Sequence, residues 1–105
     1  NKKWFYRGLK HRIGGPAVEW VDGKKEWWKN GKQHRTDGPA IEYADGYTSW
    51  WLYDGLHRTD GPAVEDAAGA KRWYLYDIKL TFDTWLDQTT GLTDEEKVMF
   101  KLQYG

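Results

Sequence analysis

Aromatic and hydrophobic positions recur along the chain with a period of 23 residues. Neighbouring pairs of rings mark this period, at Trp4-Phe5, Trp27-Trp28, Trp50-Trp51 and Trp73-Tyr74. Three further motifs keep the same spacing: His-Arg from His11, His34 and His57, Gly-Pro-Ala from Gly15, Gly38 and Gly61, and a glycine turn at Asp22-Gly23, Asp45-Gly46 and Ala68-Gly69. Four markers in one register indicate a tandem array of short units.

Each unit is predicted to contain a β-hairpin. A strand of the type Ala-Val-Glu-aromatic leads into Asp-Gly, the preferred two-residue loop of a type I′ turn, because glycine accepts positive φ. With Asp22 and Gly23 as the loop, Val18 lies opposite Trp27. The same count predicts these further pairs: Trp20 with Lys25, Ala17 with Trp28, Ile41 with Trp50, Val64 with Trp73, Glu65 with Arg72 and Asp66 with Lys71. Return turns are predicted at Asn30-Gly31 and, displaced by one position, at Asp54-Gly55.

Side chains alternate across a strand, so the two rings of each pair point to opposite faces of the sheet. The first rings share a face with Val18, Ile41 and Val64, and we assign this face to the core. The second rings form a set that we call the ring row: Phe5, Trp28, Trp51 and Tyr74. The predicted register places alanines and acids beside the ring row, at Ala17, Ala40, Ala63, Glu19, Glu42 and Glu65.

The face of the ring row is the predicted contact surface for a protein partner, because Trp, Tyr and Arg are enriched in interface hot spots. Its predicted partner-binding residues are Phe5, Trp28, Trp51, Tyr74, Glu19 and Glu42. Two alternatives stay open. In one, both rows of rings are buried, one under the helices and the other in an oligomer or against further N-terminal units. In the other, the second row stacks on bases or carbohydrate. A slip of one residue would exchange the two faces.

After Leu80 the apolar residues take helical spacing. Thr81 is placed to cap one helix that ends at Gly91, and residues 93–96 form a capping box ahead of a second helix. Their apolar stripes are Phe82, Trp85 and Leu86, and then Val98, Met99 and Leu102. The sequence therefore predicts a mainly β fold in one compact domain. Residues 1–80 form an antiparallel hairpin meander of three units and about six or seven strands, and residues 81–105 form a cap of two short helices.

Composition narrows the function classes. The chain has 105 residues with 16 basic and 16 acidic side chains, so it lacks the basic excess that direct nucleic-acid binding requires. It has no cysteine, which excludes disulfides, thiolate metal sites and cysteine nucleophiles. No apolar run reaches ten residues, so we expect no membrane insertion.

The recurring His-Arg-x-Asp segment carries residue types that acid–base and phosphate chemistry use. An active site needs one converging set of residues, whereas this segment repeats in successive units and has Gly14 where Asp37 and Asp60 stand. We therefore expect no catalytic residue and no cofactor. Histidines in successive units lie roughly 10 Å apart by strand spacing, too far to share a metal bound at about 2 Å, so we expect no metal site.

Two interpretations of this segment remain. In the first it is structural: the Asp accepts hydrogen bonds from local backbone N–H groups, the Arg pairs with a strand Glu, and Gly-Pro sets the turn. In the second it is a site for a nucleotide or another anion, formed by His34, Arg35, His57 and Arg58.

The segment Trp28-Lys29-Asn30-Gly31-Lys32-Gln33-His34, followed by Gly38, Tyr43 and Asp45-Gly46, resembles the MORN repeat, and the resemblance covers about three units. It is a variant form, because a Trp pair replaces the Tyr-Glu-Gly opening and His34-Arg35-Thr36-Asp37-Gly38-Pro39-Ala40 replaces His-Gly-x-Gly. With a tail from Thr93 to Gly105, this form is similar to small repeat proteins of tailed bacteriophages. Resemblance to MORN proteins implies a stacked hairpin sheet with a scaffold or binding function, sometimes at lipid headgroups, and no catalysis.

Together these observations predict a non-enzymatic binding protein that uses an aromatic sheet face. The phage resemblance implies a host-encoded protein partner, inhibition of a host defence protein in an anti-CRISPR or other anti-defence activity, and a location in the cytoplasm of an infected bacterial host. One alternative is a protein that sequesters a nucleotide or other anionic small ligand. Another is a structural or assembly component that forms a homo-oligomer through open sheet edges.

Overall fold

A computed structural model describes residues 1–89 and 91–105. This part of the chain is mainly β, with fourteen strands followed by two helices, which confirms the predicted fold class. The strands are β1 (Lys2–Lys3), β2 (Phe5–Tyr6), β3 (Leu9–Lys10), β4 (Val18–Glu19), β5 (Lys25–Glu26), β6 (Trp28–Lys29), β7 (Lys32–Gln33), β8 (Ile41–Glu42), β9 (Thr48–Ser49), β10 (Trp51–Leu52), β11 (Gly55–Leu56), β12 (Val64–Glu65), β13 (Lys71–Leu75) and β14 (Ile78–Leu80). The helices are α1 (Phe82–Gln88) and α2 (Asp94–Tyr104).

Each unit contributes one hairpin to a common sheet and one two-stranded ribbon beside it. The sheet has eight strands in the order β1-β4-β5-β8-β9-β12-β13-β14, and the ribbons are β2-β3, β6-β7 and β10-β11. The break between sheet and ribbon falls at the ring pair, where the Trp27 N–H donates to the Ala40 carbonyl at 2.7 Å. These breaks divide the six or seven predicted strands into shorter ones. Strand β13 runs through unbroken and pairs with both β12 and β14.

The sheet hairpins differ by one residue from the predicted register. The observed pairs are Val18 with Glu26, Glu19 with Lys25, Ile41 with Ser49, Glu42 with Thr48, Val64 with Arg72 and Glu65 with Lys71. The predicted pairs of Val18 with Trp27, Trp20 with Lys25, Ala17 with Trp28, Ile41 with Trp50, Val64 with Trp73, Glu65 with Arg72 and Asp66 with Lys71 are therefore wrong.

The cause of this shift is the hairpin loop, which has three residues rather than two. The Trp20 N–H donates to the Lys24 carbonyl at 2.9 Å, and the Asp22 carboxylate accepts from the Lys24 N–H at 3.0 Å. Gly23 closes the loop with a φ of 97°, as a left-handed bulge residue. Asp-Gly thus marks the hairpin correctly, but it occupies the second and third loop positions.

The ribbon turns keep one register in every unit. Both central residues have positive φ, as a type I′ turn requires, and they are Arg7-Gly8, Asn30-Gly31, Tyr53-Asp54 and Tyr76-Asp77. The predicted displacement to Asp54-Gly55 is therefore wrong. Asp54 tolerates the left-handed conformation because it is held twice: its N–H donates to the Gln33 carbonyl at 2.9 Å and its carboxylate accepts from the Gln33 N–H at 2.7 Å.

Along the repeat sheet, the fully buried side chains are small. Its most buried residues are Ala17, Val18, Ala40, Ala63 and Val64. A larger core of four residues lies where α1 packs on β13 and β14, and its members are Trp73, Leu75, Trp85 and Leu86. The C-terminal end of the array therefore carries most of the bulky buried surface.

Both predicted helix starts are confirmed. The Thr81 side chain accepts from the Thr84 N–H, and Thr93 forms a reciprocal capping box with Glu96. Helix α1 ends at Gln88, before the predicted end at Gly91. Among the described residues, no helix is both long and apolar enough to cross a lipid bilayer.

Candidate functional site

The observed register determines which side chains share a face. Glu26 lies between Val18 and Ile41 of the neighbouring strands, and its carboxylate accepts from the indole N–H of Trp28 at 3.2 Å. In the next unit Trp51 donates to the Ser49 hydroxyl in the same way, at 2.8 Å. The ring row therefore shares its face with the branched residues Val18, Ile41 and Val64, and we call this the aromatic face.

The opposite side of the sheet carries the first ring of each pair, and we call it the arginine face. Two ion pairs place acidic residues here, between Arg12 and Glu19 at 3.6 Å and between Arg35 and Glu42 at 3.8 Å. Of the predicted partner-binding residues, the four rings thus lie on one face, and Glu19 and Glu42 lie on the other. The reason is the one-residue shift in register, which reverses the direction of every side chain in a strand.

Two members of the ring row, Trp28 and Trp51, are held in place by their indole hydrogen bonds, and Trp28 also contacts a lysine of the preceding unit. Phe5 is 58% exposed, whereas Trp28, Trp51 and Tyr74 are half-buried. Besides the indole hydrogen bonds, the Lys10 ammonium lies 4.6 Å from the centre of the Trp28 ring. Rings that are already ordered lose little conformational entropy when a partner covers them, which favours binding.

A second group of rings on the aromatic face was not assigned from the sequence. It consists of Trp20, Tyr43 and Tyr47. The Lys24 ammonium lies 4.7 Å from the Tyr43 ring centre, and the buried Glu26 carboxylate accepts from both Trp20 and Trp28, which links this group to the ring row. The available signal was the spacing, since Trp20 and Tyr43 occupy the same position in successive units.

On the arginine face each guanidinium stacks on a tryptophan of its own unit. The Cζ atoms of Arg12, Arg35 and Arg58 lie 3.8, 3.9 and 4.0 Å from the ring centres of Trp4, Trp27 and Trp50. Such stacks contribute up to about 2 kcal/mol when desolvated. The first ring of the fourth pair, Trp73, has no stacked arginine among the residues that the structure describes. Trp85 of α1 packs on it instead, with ring centres 4.5 Å apart.

The arginines predicted as ligand residues are bound within their own loops. Arg35 Nε donates to Asp37 at 2.8 Å, and Nη1 donates to the Pro39 carbonyl at 3.0 Å. The hydrogen bond from Arg35, and then its charge, hold the pKa of Asp37 below its ordinary value. Arg58 repeats both bonds in the next unit, at the same distances.

The histidines connect successive units through their Nδ1 atoms. Each accepts a hydrogen bond from a backbone N–H in the positive-φ turn of the following ring pair: His11 from Asn30 at 3.1 Å, His34 from Tyr53 at 3.2 Å and His57 from Tyr76 at 2.9 Å. Burial, and then the nearby charge of Lys29, lower the pKa of His34, and burial lowers the pKa of His57. These contacts use the neutral imidazole, which alone has an acceptor nitrogen.

Stability is expected to fall as the pH drops from 7.5 to 5.5. Because the pKa of these histidines is lowered in the folded state, the unfolded chain binds more protons than the folded one at pH values below the ordinary histidine pKa, near 6.5. The histidine contribution is therefore complete above that value and is lost on acidification. Urea midpoints at the two pH values measure this effect.

The double variant His34→Asn/His57→Asn is the control for this titration, because an amide oxygen offers an acceptor that does not protonate in this range. It should lose most of the pH dependence. A wild-type midpoint that stays constant or rises towards pH 5.5 would contradict the assignment.

The described residues contain no cluster of three or more His, Asp or Glu side chains suited to a metal ion. Comparison with protein-family models, with curated proteins and with solved structures finds no match to this chain. The resemblance to MORN repeats and to phage repeat proteins therefore stays a prediction from sequence motifs.

Proposed function

We propose that the chain is a non-enzymatic protein-binding module whose contact surface is the aromatic face. The observation that supports this is the ring row itself, which places the second rings of all four ring pairs on one face and holds Trp28 and Trp51 by indole hydrogen bonds. A line of partly exposed rings next to charged side chains such as Lys10 has the composition of an interface hot spot with a polar rim.

A protein partner accounts for this surface better than a small ligand does. The rings belong to successive units, so together they form an extended surface rather than an enclosed pocket. The predicted anion residues Arg35 and Arg58 already have carboxylate and carbonyl partners inside the chain. Sequestration of a nucleotide at these residues would have to displace those partners.

The identity of the partner is a further part of this proposal and has its support in sequence motifs alone. We propose a host-encoded partner, namely a bacterial defence protein that the chain inhibits in the cytoplasm of an infected cell. The support is the similarity of the His-Arg-x-Asp-Gly-Pro-Ala units to small repeat proteins of tailed bacteriophages.

The double variant Trp28→Ala/Trp51→Ala tests the proposed surface. Affinity for a partner captured from host lysate should fall at least about tenfold, because truncation of a hot-spot ring costs more than 1.4 kcal/mol. Affinity should be measured by isothermal titration with the purified partner. Leu102→Ala is the control, since Leu102 is a 78% exposed apolar residue of α2 that does not belong to the ring row.

Circular dichroism must show that both variants keep the fold. Unchanged affinity of the folded double variant would refute the proposed surface. If no partner is captured and the mass of the protein measured by light scattering rises with its concentration, the result would support a structural component that forms a homo-oligomer.

A further inference from the structure

The loop of the first unit lacks an internal partner that the other two loops possess. In those loops Arg35 and Arg58 each donate from Nε to an aspartate at 2.8 Å. In the first unit Gly14 stands at the aspartate position. Arg12 keeps the stack on Trp4 and the bond from Nη1 to the Pro16 carbonyl at 3.2 Å, but within residues 1–89 and 91–105 its Nε has no acceptor.

The space next to this guanidinium is open. Gly14 has a φ of 84°, and a Cβ atom built on it would meet no heavy atom within 4 Å. A groove of about 540 Å³ lies here and is lined by Trp4, Phe5, Tyr6, His11, Arg12 and Ile13. Three of these side chains are strongly exposed: Phe5 at 58%, Tyr6 at 51% and Ile13 at 89%. In the part of the chain that the structure describes, the groove thus combines an apolar lining with the unpaired Nε–H of Arg12.

We propose that this groove binds an acidic peptide segment of the protein partner, with its carboxylate at Arg12 Nε. Asp37 and Asp60 show which group satisfies this donor, because each is a carboxylate in the equivalent place. The apolar lining accommodates a hydrophobic residue next to the acid. The site rests on the proposed function, since Phe5 belongs both to the ring row and to the groove.

The surrounding charges agree with a single bound carboxylate. Glu19 approaches Arg12 at Nη1, at 3.6 Å, and leaves Nε open. The guanidinium of Arg7 lies 5.1 Å from the ring centre of Tyr6, which lines the groove. One anionic oxygen therefore completes the hydrogen bonding of Arg12, as one aspartate oxygen does for Arg35.

A nuclear magnetic resonance titration tests the site with a defined probe. The Nε–Hε signal of Arg12, assigned by its loss in Arg12→Lys, is followed while acetyl-Leu-Asp-amide is added at constant ionic strength. We expect a saturable shift. Acetyl-Leu-Asn-amide should bind at least about tenfold more weakly, because a hydrogen bond to a charged acceptor contributes about 1.5–3 kcal/mol.

The variant Ile13→Thr/Gly14→Asp gives the first loop the sequence of the other two and so supplies the missing carboxylate internally. Gly14 has a φ of 84°, so the aspartate requires the first loop to adopt the backbone of the other two loops, and circular dichroism checks that the overall fold is kept. The double variant should then show no probe-induced shift. The comparison variant Ile13→Thr shortens the apolar lining, so it should bind the aspartyl probe more weakly and still prefer it to the asparaginyl probe. The proposal is overturned if the double variant still binds the probe, if both dipeptides bind equally, or if only inorganic phosphate shifts the signal.

These outcomes are separable from those of the proposed function. If the partner loses affinity for Trp28→Ala/Trp51→Ala but binds Ile13→Thr/Gly14→Asp with unchanged affinity, the groove proposal alone is refuted. If the aspartyl probe gives a saturable shift but the partner binds Trp28→Ala/Trp51→Ala with unchanged affinity, the groove proposal stands and the aromatic face is refuted as the contact surface.

Discussion

Replacement of Trp85 by alanine is expected to lower the free energy of unfolding by about 3–5 kcal/mol, the usual cost of deleting a buried tryptophan. Trp85 is fully buried. Its ring packs against Trp73 and Phe100 with ring centres 4.5 and 5.5 Å away, and its indole N–H donates to the Arg58 carbonyl at 2.8 Å. The substitution removes the contact that fixes α1 to the last strands and leaves a cavity between them.

Urea denaturation followed by circular dichroism measures this effect, with two comparison variants. Trp85→Phe keeps an aromatic ring and loses the hydrogen bond, so it should cost less than Trp85→Ala. Val98→Ala changes an exposed position of α2 and should stay within about 0.5 kcal/mol of the wild type. If Trp85→Ala proved as stable as Val98→Ala, the helices would not be part of the cooperative unit.

The features that could be predicted from the sequence are those that depend on local chemistry. The repeat period follows from identical residues at equal spacing, and the helix starts follow from Thr81 and Thr93 with their neighbours. The return turn at Asn30-Gly31 follows from the same kind of reasoning, and the structure shows it to be of type I′. Each of these needs a few adjacent residues and no knowledge of the neighbouring unit.

The strand register could not be fixed in this way, because Asp-Gly is compatible with loops of two and of three residues. Cross-strand charge pairs distinguish them. In the observed register opposite charges face each other across successive strands: Lys2 with Glu19, Glu19 with Lys25, Lys25 with Glu42 and Glu65 with Lys71. The first hairpin decides between the two loops, because the predicted register would place Glu19 opposite Glu26, whereas the observed one pairs Glu19 with Lys25. In the third hairpin both registers offer opposite charges, which is why the predicted pairs Glu65 with Arg72 and Asp66 with Lys71 were misleading.

The candidate site was predicted in part for the same reason. The four rings of the ring row share one face, but the acidic residues assigned to them lie on the other. The contacts of the histidines could not be seen locally, since His34 meets the N–H of Tyr53 in the next unit. Such contacts become visible only when the stacking of units is known.

The final expected result concerns the glycine that follows each aspartate. Gly61→Ala should lower the free energy of unfolding by about 1–3 kcal/mol, as overpacking of a tight site does. A Cβ atom on Gly61 would lie 2.6 Å from Arg58 Cζ, so the guanidinium would have to move. Arg58 would then weaken its stack on Trp50 and its bonds to Asp60 and the Pro62 carbonyl.

Gly15→Ala is a matched control because it makes the same change in the first unit. There the Cβ atom would lie 3.1 Å from Arg12 Cζ, and no aspartate fixes the guanidinium. Arg12 can therefore shift at lower cost, and the loss should be smaller than for Gly61→Ala in parallel urea titrations. Equal losses at the two positions would mean that the aspartate does not lock the arginine, which would also remove the reason for placing a partner's carboxylate at Arg12.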